Sequence, residues 1–362
     1  MPFCHLRFWI VRIEAVEVRC VTLPMAHAFV TAHGVERERP SVLVRVMSDG
    51  GEGWGECVAL PSAGYSDETA ASSTRVLVDR LAPRLLAGEQ LPSGTPMAVA
   101  ALEMAVLDAE LRMAGQSLGE RLGATASRVP SGIALGLDAT VDDAVAAAAA
   151  GYHRVKLKVE PGGEDIVRAV RDALPHMPLQ VDGNGAYTGD SAELLDKVDD
   201  LGLLLIEQPL GVHDWDGHVA LARRLRTPIC LDESIVDAAA AARALDRGAC
   251  QIVNVKPGRV GGYLEAVRVH DECVARGAAV WCGGMLETAL ARTANLALAA
   301  LPGFTLPGDI SPSSRWFLDD VAAPVEMDAD GWFTVPHEPG IGITPDAAAL
   351  TRLTTSLTIV RP

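Results

Sequence analysis

The sequence predicts an α/β protein, a TIM-type (β/α) barrel that follows a smaller N-terminal α+β domain. The first observation is a cadence of five ionisable residues at steps of 24, 25, 25 and 24: Lys158, Asp182, Glu207, Asp232 and Lys256. The second is that each of them closes a short apolar run: RVKLK, PLQVD, LLLIE, ICLD and IVNVK. A strand, a helix and two loops need roughly 25–35 residues, so the interval is the period of a βα unit.

The same period continues on both sides of the cadence. SGIALGL supplies an earlier apolar run, and AAVWCGG and FTLPGDI supply two later ones. Strands are therefore expected near residues 133, 156, 181, 206, 231, 254, 281 and 306. The segments between them are rich in Ala, Leu and Arg, and several end in Gly, which is a C-cap signal for helices. Eight such units predict a barrel over residues 126–324.

The N-terminal third has a different pattern. Residues 11–24 alternate as a strand does, and SVLVRVMSDGGEGWGECVAL predicts two further strands joined by a turn, giving a three-stranded antiparallel sheet. Residues 67–115 change to helical periodicity, with a break at LPSGTP that predicts two helices. Residues 1–125 are thus expected to form an α+β capping domain. The tail, residues 325–362, is expected to form a hairpin and loop that pack back on it.

Composition excludes several classes of function. The 362 residues are 49% hydrophobic and 22% charged, and the net charge of −16 argues against nucleic-acid binding. No apolar run reaches the length of a membrane span, and the opening MPFCHLRFWIV lacks the features of a secretory signal. Seven cysteines without a C-x-x-C pair indicate free thiols in a reducing cytosol. A cytoplasmic protein without membrane or nucleic-acid partners is expected.

The three carboxylates of the cadence predict a metal site. Asp182, Glu207 and Asp232 would converge from neighbouring strands, where each raises the pKa of the others unless a cation is present. Hard oxygen ligands suit Mg²⁺, with Mn²⁺ as the alternative ion. Taken singly, each residue is as well explained as a helix cap or a turn residue. Their constant spacing favours the metal site.

The lysines predict acid–base chemistry. Lys156 and Lys158 share one face of a strand, so their mutual repulsion is expected to lower a lysine pKa toward neutrality. The K-x-K pair alone is better explained by ion pairing with a carboxylate. Lys256, with Asn254 on its face, would lie across the metal from Lys158. A small anionic carboxylate substrate held between them would expose both faces of its α-carbon, so that one lysine removes the proton.

Other motifs leave alternatives open. Gly283 and Gly284 would let a substrate approach the backbone, but a simple turn explains them equally. Asp309 could orient a lysine or cap a helix. KPGRVGG does not form G-x-G-x-x-G, which argues against a dinucleotide fold.

The strand-end segments KLK, VDGN, IEQPL, LDES and NVKPGRVGG resemble those of the enolase superfamily, in its muconate-lactonizing subgroup. VWCGGMLET, ANLALA, LPGFTLPGDIS and GWGECVAL resemble the branch that contains o-succinylbenzoate synthases and N-succinylamino acid racemases. The resemblance implies a modified, enolase-like barrel that uses Mg²⁺. It implies that Lys158 is the base, Lys256 the second base or cation, and Lys156 the neighbour that lowers the pKa. The supporting and substrate-contacting residues would be Asn184, Glu233, Asn254, Gly284, Met285 and Asp309.

The expected reaction is α-proton abstraction from a carboxylate. It would serve dehydration to o-succinylbenzoate, in menaquinone synthesis, or racemisation of N-succinyl or N-acyl amino acids. Muconate cycloisomerase and dipeptide epimerase are the alternatives within the subgroup, and a barrel that binds metal and anion without turnover is the non-enzymatic one. A homo-oligomer is expected. The segment AHAFVTAHGVERERP, expected to cover the site, and Gly183, where the family more usually has Ala, depart from the family pattern.

Overall fold

The computed structural model describes residues 11–31 and 34–362. The N-terminal sheet contains β1 (Ile13–Thr31), β2 (Gly34–Ser48) and β3 (Gly51–Cys57), as the alternating pattern predicts. A fourth strand that the sequence pattern did not predict, β13 (Thr354–Val360), pairs antiparallel with β1, so the sheet order is β13-β1-β2-β3. The segment expected to cover the site continues the β1–β2 ribbon. Its residues 32–33, like the opening residues 1–10, lie outside the described part.

Helices cover one face of this sheet. They are α1 (Ala70–Val76), a π-helical turn (Leu77–Leu81), α2 (Ala82–Leu86), α3 (Pro96–Ala114) and α4 (Leu118–Leu122). The predicted break at LPSGTP is confirmed, because α2 ends before it and α3 begins at its last residue, Pro96. A Cβ on Gly55 of β3 would lie 2.0 Å from the Ala101 carbonyl oxygen. Glycine there lets α3 pack directly on the sheet.

The second part of the chain forms the predicted barrel. Its seven parallel strands are hydrogen-bonded in chain order: β5 (Gly132–Leu135), β6 (Arg154–Lys158), β7 (Leu179–Asp182), β8 (Ile206–Glu207), β9 (Ile229–Leu231), β10 (Ile252–Val255) and β11 (Ala279–Cys282). The helices are α5 (Val141–Ala149), α6 (Glu164–Ala173), α7 (Trp215–Arg224), α8 (Ala238–Asp246), α9 (Pro257–Val260), α10 (Tyr263–Ala275) and α11 (Ala289–Ala299). The 3₁₀ segment Gly189–Lys197 occupies the helical position between β7 and β8. The first seven predicted strand positions are confirmed.

The eighth strand position, near residue 306, was wrong as a regular strand. The extended segment there makes isolated bridges instead, pairing Phe304 with Val280 on one side and Gly308 with Ser131 on the other. Asp309 N–H also donates to the Cys282 carbonyl over 2.9 Å. Pro307 has no N–H to donate, so a continuous ladder cannot form through it. The segment nevertheless links both edges of the seven-stranded sheet.

The tail differs from the predicted hairpin. Strand β12 (Trp332–Thr334) pairs antiparallel with the short β4 (Arg128–Pro130), and α12 (Ala347–Leu353) leads into β13. Ile341 N–H donates to Asp108 of α3 over 2.8 Å. Among the described residues, no helix is long and apolar enough to cross a membrane.

Two buried carboxylates of the N-terminal domain connect it to barrel helices. Glu56 of β3 accepts hydrogen bonds from the backbone and hydroxyl of Thr288, at 2.9 and 2.7 Å, and from Ala291 N–H at 3.2 Å, at the start of α11. Glu103 of α3 accepts from the N–H groups of Tyr263 and Leu264, at 2.6 and 3.2 Å, at the start of α10. These contacts fix the domain against the barrel wall, since a helix N-terminus favours negative charge.

Candidate active site

The charged residues of the cadence meet at one end of the barrel. Lys158 and Asp182 are register partners on β6 and β7, and Asp182 and Glu207 are partners on β7 and β8. Asp182, Glu207 and Asp232 are each at most 2% exposed. The carboxyl ends of parallel strands lie on the same side of a barrel, so residues that recur at this period along the chain lie close together in space.

Lys156 lies at the centre of the carboxylates. Its Nζ is 2.5 Å from Asp309 Oδ2, 3.0 Å from Glu207 Oε2 and 3.3 Å from Asp182 Oδ2. Burial lowers the pKa of Lys156, but these carboxylates raise it by more, so the pKa lies above its ordinary value. The expectation that lysine–lysine repulsion lowers the pKa was therefore wrong for this residue, because the sequence did not show how many acids would surround it.

Lys158 is the most accessible lysine of the cluster. Its side chain is 16% exposed, against 4% for Lys156 and 7% for Lys256. Its Nζ lies 3.3 Å from Asp182 Oδ2 and donates to the Asn184 side-chain oxygen. Asn184 in turn donates from Nδ2 to Glu233 Oε1 over 2.8 Å. This chain of contacts orients the ammonium group while leaving it open to a ligand.

Lys256 occupies the opposite side of the cluster, after β10, four strands further around the sheet than Lys158. Its Nζ donates to Asp232 Oδ2 over 2.8 Å and lies 4.5 Å from the centre of the Tyr65 ring. The other oxygen of Asp232 accepts from the Arg259 guanidinium and, over 3.0 Å, from the Tyr65 hydroxyl. A residue of the N-terminal domain therefore completes this side of the site.

Glu207 links the two sides. Its Oε1 accepts from Asn254 Nδ2 over 2.7 Å, and its Oε2 accepts from Gln180 Nε2 over 3.3 Å. Burial, followed by the charge of Asp182, raises the pKa of Glu207 above its usual range. Neighbouring acids raise the pKa of one another because each carboxylate charge disfavours the next.

The donor set fits a hard divalent cation. Three carboxylates end adjacent strands, and two further oxygens, Glu233 Oε2 and Asn254 Oδ1, are buried without a hydrogen-bond partner. In residues 11–31 and 34–362, no three His, Cys, Asp or Glu side chains are already arranged as a metal cage, since the carboxylates turn toward lysine and arginine groups. Oxygen ligands of this kind match Mg²⁺.

Of the remaining predicted residues, the structure places Asp309 against Lys156, Gly284 beside Asp309, and Met285 at the joint with the N-terminal domain. Asp309 bridges Lys156 and Arg154, whose guanidinium lies 2.7 Å away, so of its two predicted roles it contacts a lysine. A Cβ on Gly284 would lie 2.6 Å from the Asp309 carbonyl oxygen. The Met285 carbonyl accepts from Arg39 over 3.0 Å, at the joint with the N-terminal domain.

Several contributors lay outside the sequence prediction. Arg259 lies in KPGRVGG, where the prediction from sequence concerned only the spacing of the glycines, and Tyr65 lies in a loop without a recognisable motif. The Trp281 ring lies 5.0 Å from the charged groups of both Arg154 and Lys156, in a strand predicted only for its apolar character. The period along the barrel strands carries no signal for a residue supplied by another domain.

Residues 139–349 match the family described as Enolase C-terminal domain-like, and residues 13–123 match the Mandelate racemase / muconate lactonizing enzyme, N-terminal domain. The chain belongs to the enolase superfamily. The resemblance of its strand-end motifs is thereby confirmed, together with the barrel and the capping domain.

Full-length relatives include enzymes with two different names. The chain is 47% identical to an N-succinylamino acid racemase from Amycolatopsis sp., over 95% of this chain and 98% of that protein. It is 40% identical to an o-succinylbenzoate synthase from Geobacillus kaustophilus, over 95% of this chain and 96% of that protein. A solved enolase-superfamily structure from Listeria innocua superposes with a TM-score of 0.92 at 34% identity, covering 97% of this chain and 99% of that one.

Proposed function

We propose that this protein removes the α-proton of a carboxylate substrate, as an o-succinylbenzoate synthase, an N-succinylamino acid racemase or both. The observation that carries the proposal is the pair of lysines, Lys158 and Lys256, held on opposite sides of one carboxylate cluster. The names of the relatives support the substrate class. Muconate cycloisomerase and dipeptide epimerase activities remain the alternatives within the subgroup.

Asp182, Glu207 and Asp232 are the proposed ligands of Mg²⁺, the ion that enolase-superfamily enzymes use. When bound, the ion supplies positive charge to the substrate carboxylate and so makes the α-proton more acidic. Lys158 shares Asp182 with Lys156, and Lys256 shares Asp232 with Arg259, so a cation bound by these carboxylates would compete with the four ion pairs.

In the proposed reaction Lys158 accepts the α-proton at Nζ, and Asn184 and Glu233 keep that atom in place. Lys256 stands on the opposite face of the α-carbon. In dehydration it acts as a cation beside the negative charge that develops, whereas in racemisation it must also deliver or remove a proton. Lys156, with three acidic partners, holds the carboxylate cluster together rather than exchanging protons.

The test uses NMR in D₂O with Mg²⁺ and two ligands in parallel, 2-succinyl-6-hydroxy-2,4-cyclohexadiene-1-carboxylate and a panel of N-succinyl amino acids. Product from the first shows the synthase, and deuterium at the α-carbon of the second shows the racemase. Lys158→Ala and Lys256→Ala should each lower dehydration by about 10²–10⁴-fold, as loss of a positioned acid, base or cation does.

Lys197→Ala is the matched control, because Lys197 is exposed and lies at the end of the 3₁₀ segment between β7 and β8 rather than at a strand end. Full dehydration by the Lys256 variant would contradict its assigned role. Absence of both turnover and exchange in the unmodified protein would favour a barrel that only binds metal and anion.

The cellular setting is part of the proposal. Every cysteine in the described residues is a free thiol, which supports a reducing compartment such as the cytoplasm. We expect a small anionic carboxylate as the only partner of the site, and a homo-oligomer, which light scattering would test.

A further inference from the structure

A cavity of about 360 Å³ lies beside the lysine cluster, between the barrel and the N-terminal domain. Its floor is the end of β5, including Ala134 and Gly136. Ala134 is the register partner of Lys156, so the cavity borders the strand that ends in Lys158. A ligand whose reacting carbon lies at Lys158 can therefore extend across β5 into this space.

The opposite wall is held closed by backbone contacts between the two domains. Ala26 N–H donates to the Trp316 carbonyl over 2.8 Å, and Leu318 N–H donates to the Pro24 carbonyl over 2.9 Å. His27 and Trp316 line the cavity next to these bonds. The wall is thus part of a fixed joint rather than an open surface.

One cation in this cavity forms no direct salt bridge with a described acid. Arg315, at the end of the 3₁₀ turn Ser313–Arg315, lines the cavity and stacks 5.2 Å from the centre of the Trp316 ring. Its Nε is buried without a hydrogen-bond partner, and no ion pair forms between Arg315 and any other described residue. Most arginines on carboxylate-rich surfaces are paired, so this guanidinium is available to a ligand.

Two acids also line the cavity, and the pKa of one of them, Asp143, is lowered by its hydrogen bonds with Thr140 and, to a smaller extent, by the charge of Arg315. Asp143 accepts from the N–H and hydroxyl of Thr140, at 2.9 and 2.6 Å, in the cap of α5. Asp138 lies at the same edge. The two carboxylates oppose an anion in the cavity, and they oppose a doubly charged phosphate more strongly than a singly charged carboxylate that contacts the guanidinium directly.

We propose that Arg315 binds the distal carboxylate of the substrate and so selects succinyl over uncharged acyl groups. The inference rests on the proposed function, since it assumes that the reacting α-carbon lies at Lys158. A planar guanidinium can form two parallel hydrogen bonds to a carboxylate, and the partly enclosed cavity strengthens them. Arg315 is in this view a specificity residue that takes no part in proton transfer.

The experiment compares two ligands that differ only at the tail, N-succinyl-L-phenylalanine and N-butanoyl-L-phenylalanine. Calorimetry with Mg²⁺ present measures both affinities for the unmodified protein, Arg315→Gln and Arg315→Lys. Arg315→Gln should weaken binding of the succinyl ligand by roughly 10- to 100-fold, the usual loss for a charge-assisted hydrogen bond, and change the butanoyl ligand less than about twofold. Arg315→Lys should retain part of the preference, because the charge remains.

Arg128→Gln is the matched control. Arg128 stacks on Trp332 at 5.3 Å, much as Arg315 stacks on Trp316, but does not line the cavity. Equal losses for both ligands, no loss for either, or a lysine variant no better than the glutamine variant would overturn the proposal. In steady-state racemisation the loss should fall on KM for the succinyl substrate, with kcat nearly unchanged.

The two proposals can fail separately. If the unmodified protein exchanges no α-proton, the proposed function fails, while the calorimetric preference for the succinyl tail still decides the role of Arg315. If exchange is normal and Arg315→Gln prefers the succinyl ligand over the butanoyl ligand as the unmodified protein does, the proposed function stands. The proposed role of Arg315 in binding the distal carboxylate is then refuted.

Discussion

At the scale of single residues, the chemistry of the site depends on which carboxylates each lysine contacts. Three of the four lysines in the chain end at the carboxylate cluster, and each has a different set of partners. Lys156 touches three acids, whereas Lys158 reaches one acid and an amide oxygen. The three lysines therefore differ in their surroundings although their side chains are the same. Lys158 has the most exposed side chain of the three and is the one open to a ligand.

Gly283 shows how little room the cluster leaves. A Cβ there would lie 2.1 Å from Asn254 Oδ1 and 2.7 Å from Lys256 Cε, both closer than real contacts allow. Gly283→Ala should therefore displace Lys256 and lower turnover by at least about tenfold, since small misplacements of catalytic groups are costly. Steady-state kinetics would measure the loss, and circular dichroism would show that the fold remains.

Gly211→Ala is the control for this prediction, because nothing lies within 4 Å of a Cβ added at Gly211. Unchanged kinetics in the Gly283 variant would mean that Lys256 can move without consequence. Gly183 is an intermediate case: a Cβ there would lie 3.1 Å from Pro209 Cα, so the alanine usual in the family needs small shifts of the neighbouring backbone.

At the scale of elements, carboxylates of the N-terminal domain act as helix caps for the barrel. Glu56 caps α11 and Glu103 caps α10, and burial raises the pKa of both, against the lowering effect of the backbone donors. Gly262 precedes α10 with φ of +137°, and a Cβ there would lie 1.8 Å from Glu103. Capping across the joint thus requires both an acid on α3 and a glycine on the barrel.

Glu103 should make stability depend on pH. Burial raises its pKa from 4.5 to about 7, so between these values the folded protein retains a proton that the unfolded chain has lost. The contribution is fully present below about pH 4.5 and is lost as the pH rises through about 7, by about 3 kcal/mol at most. Urea unfolding of the unmodified protein and of Glu103→Gln at pH 5 and pH 8 would measure this.

The difference between the two proteins isolates Glu103 from other buried acids. Removing the titrating carboxyl should make the unfolding free energy fall less between the two pH values. Glu89→Gln, at an exposed position, should leave the pH dependence unchanged. Parallel pH curves for the Glu103 variant and the unmodified protein would show that the carboxyl keeps its ordinary pKa.

At the scale of the whole molecule, the two ends of the chain meet in one sheet. Strand β13 pairs with β1 from Val16↔Val360 to Val21↔Thr354, and most of its side chains are exposed. Its contribution is therefore mainly backbone hydrogen bonding along an edge. Strand β1 continues toward the cavity that contains Arg315, so the sheet also supports the wall over the site.

Removing residues 354–362 should leave the barrel intact but expose the edge of β1. Unpaired strand edges template association, so the shortened protein should form larger species and unfold at a lower temperature. Light scattering and thermal unfolding would detect both effects. A protein lacking only residues 361–362 is the control, and identical behaviour of the two shortened proteins would contradict a structural role for β13.

The sequence predicted local and periodic features well. Seven strand positions, the helices between them and the helix break at LPSGTP follow from patterns within about 25 residues. The eighth strand position was wrong because a proline interrupts the ladder there, and the pairing of β12 with β4 was not foreseen because those residues are some 200 positions apart. Long-range pairing leaves no periodic trace in the chain.

The sequence by itself determined the barrel, its capping domain and the gathering of three carboxylates and three lysines at one end, because parallel strands with a fixed period must end on one side. Only the tertiary structure decided which acid each lysine contacts, that Tyr65 and Arg259 share Asp232, and that Arg315 faces a cavity without a direct salt bridge. Those outcomes depend on loops and on the docking of one domain against another. Side chains from distant segments meet there at distances that no spacing along the chain encodes.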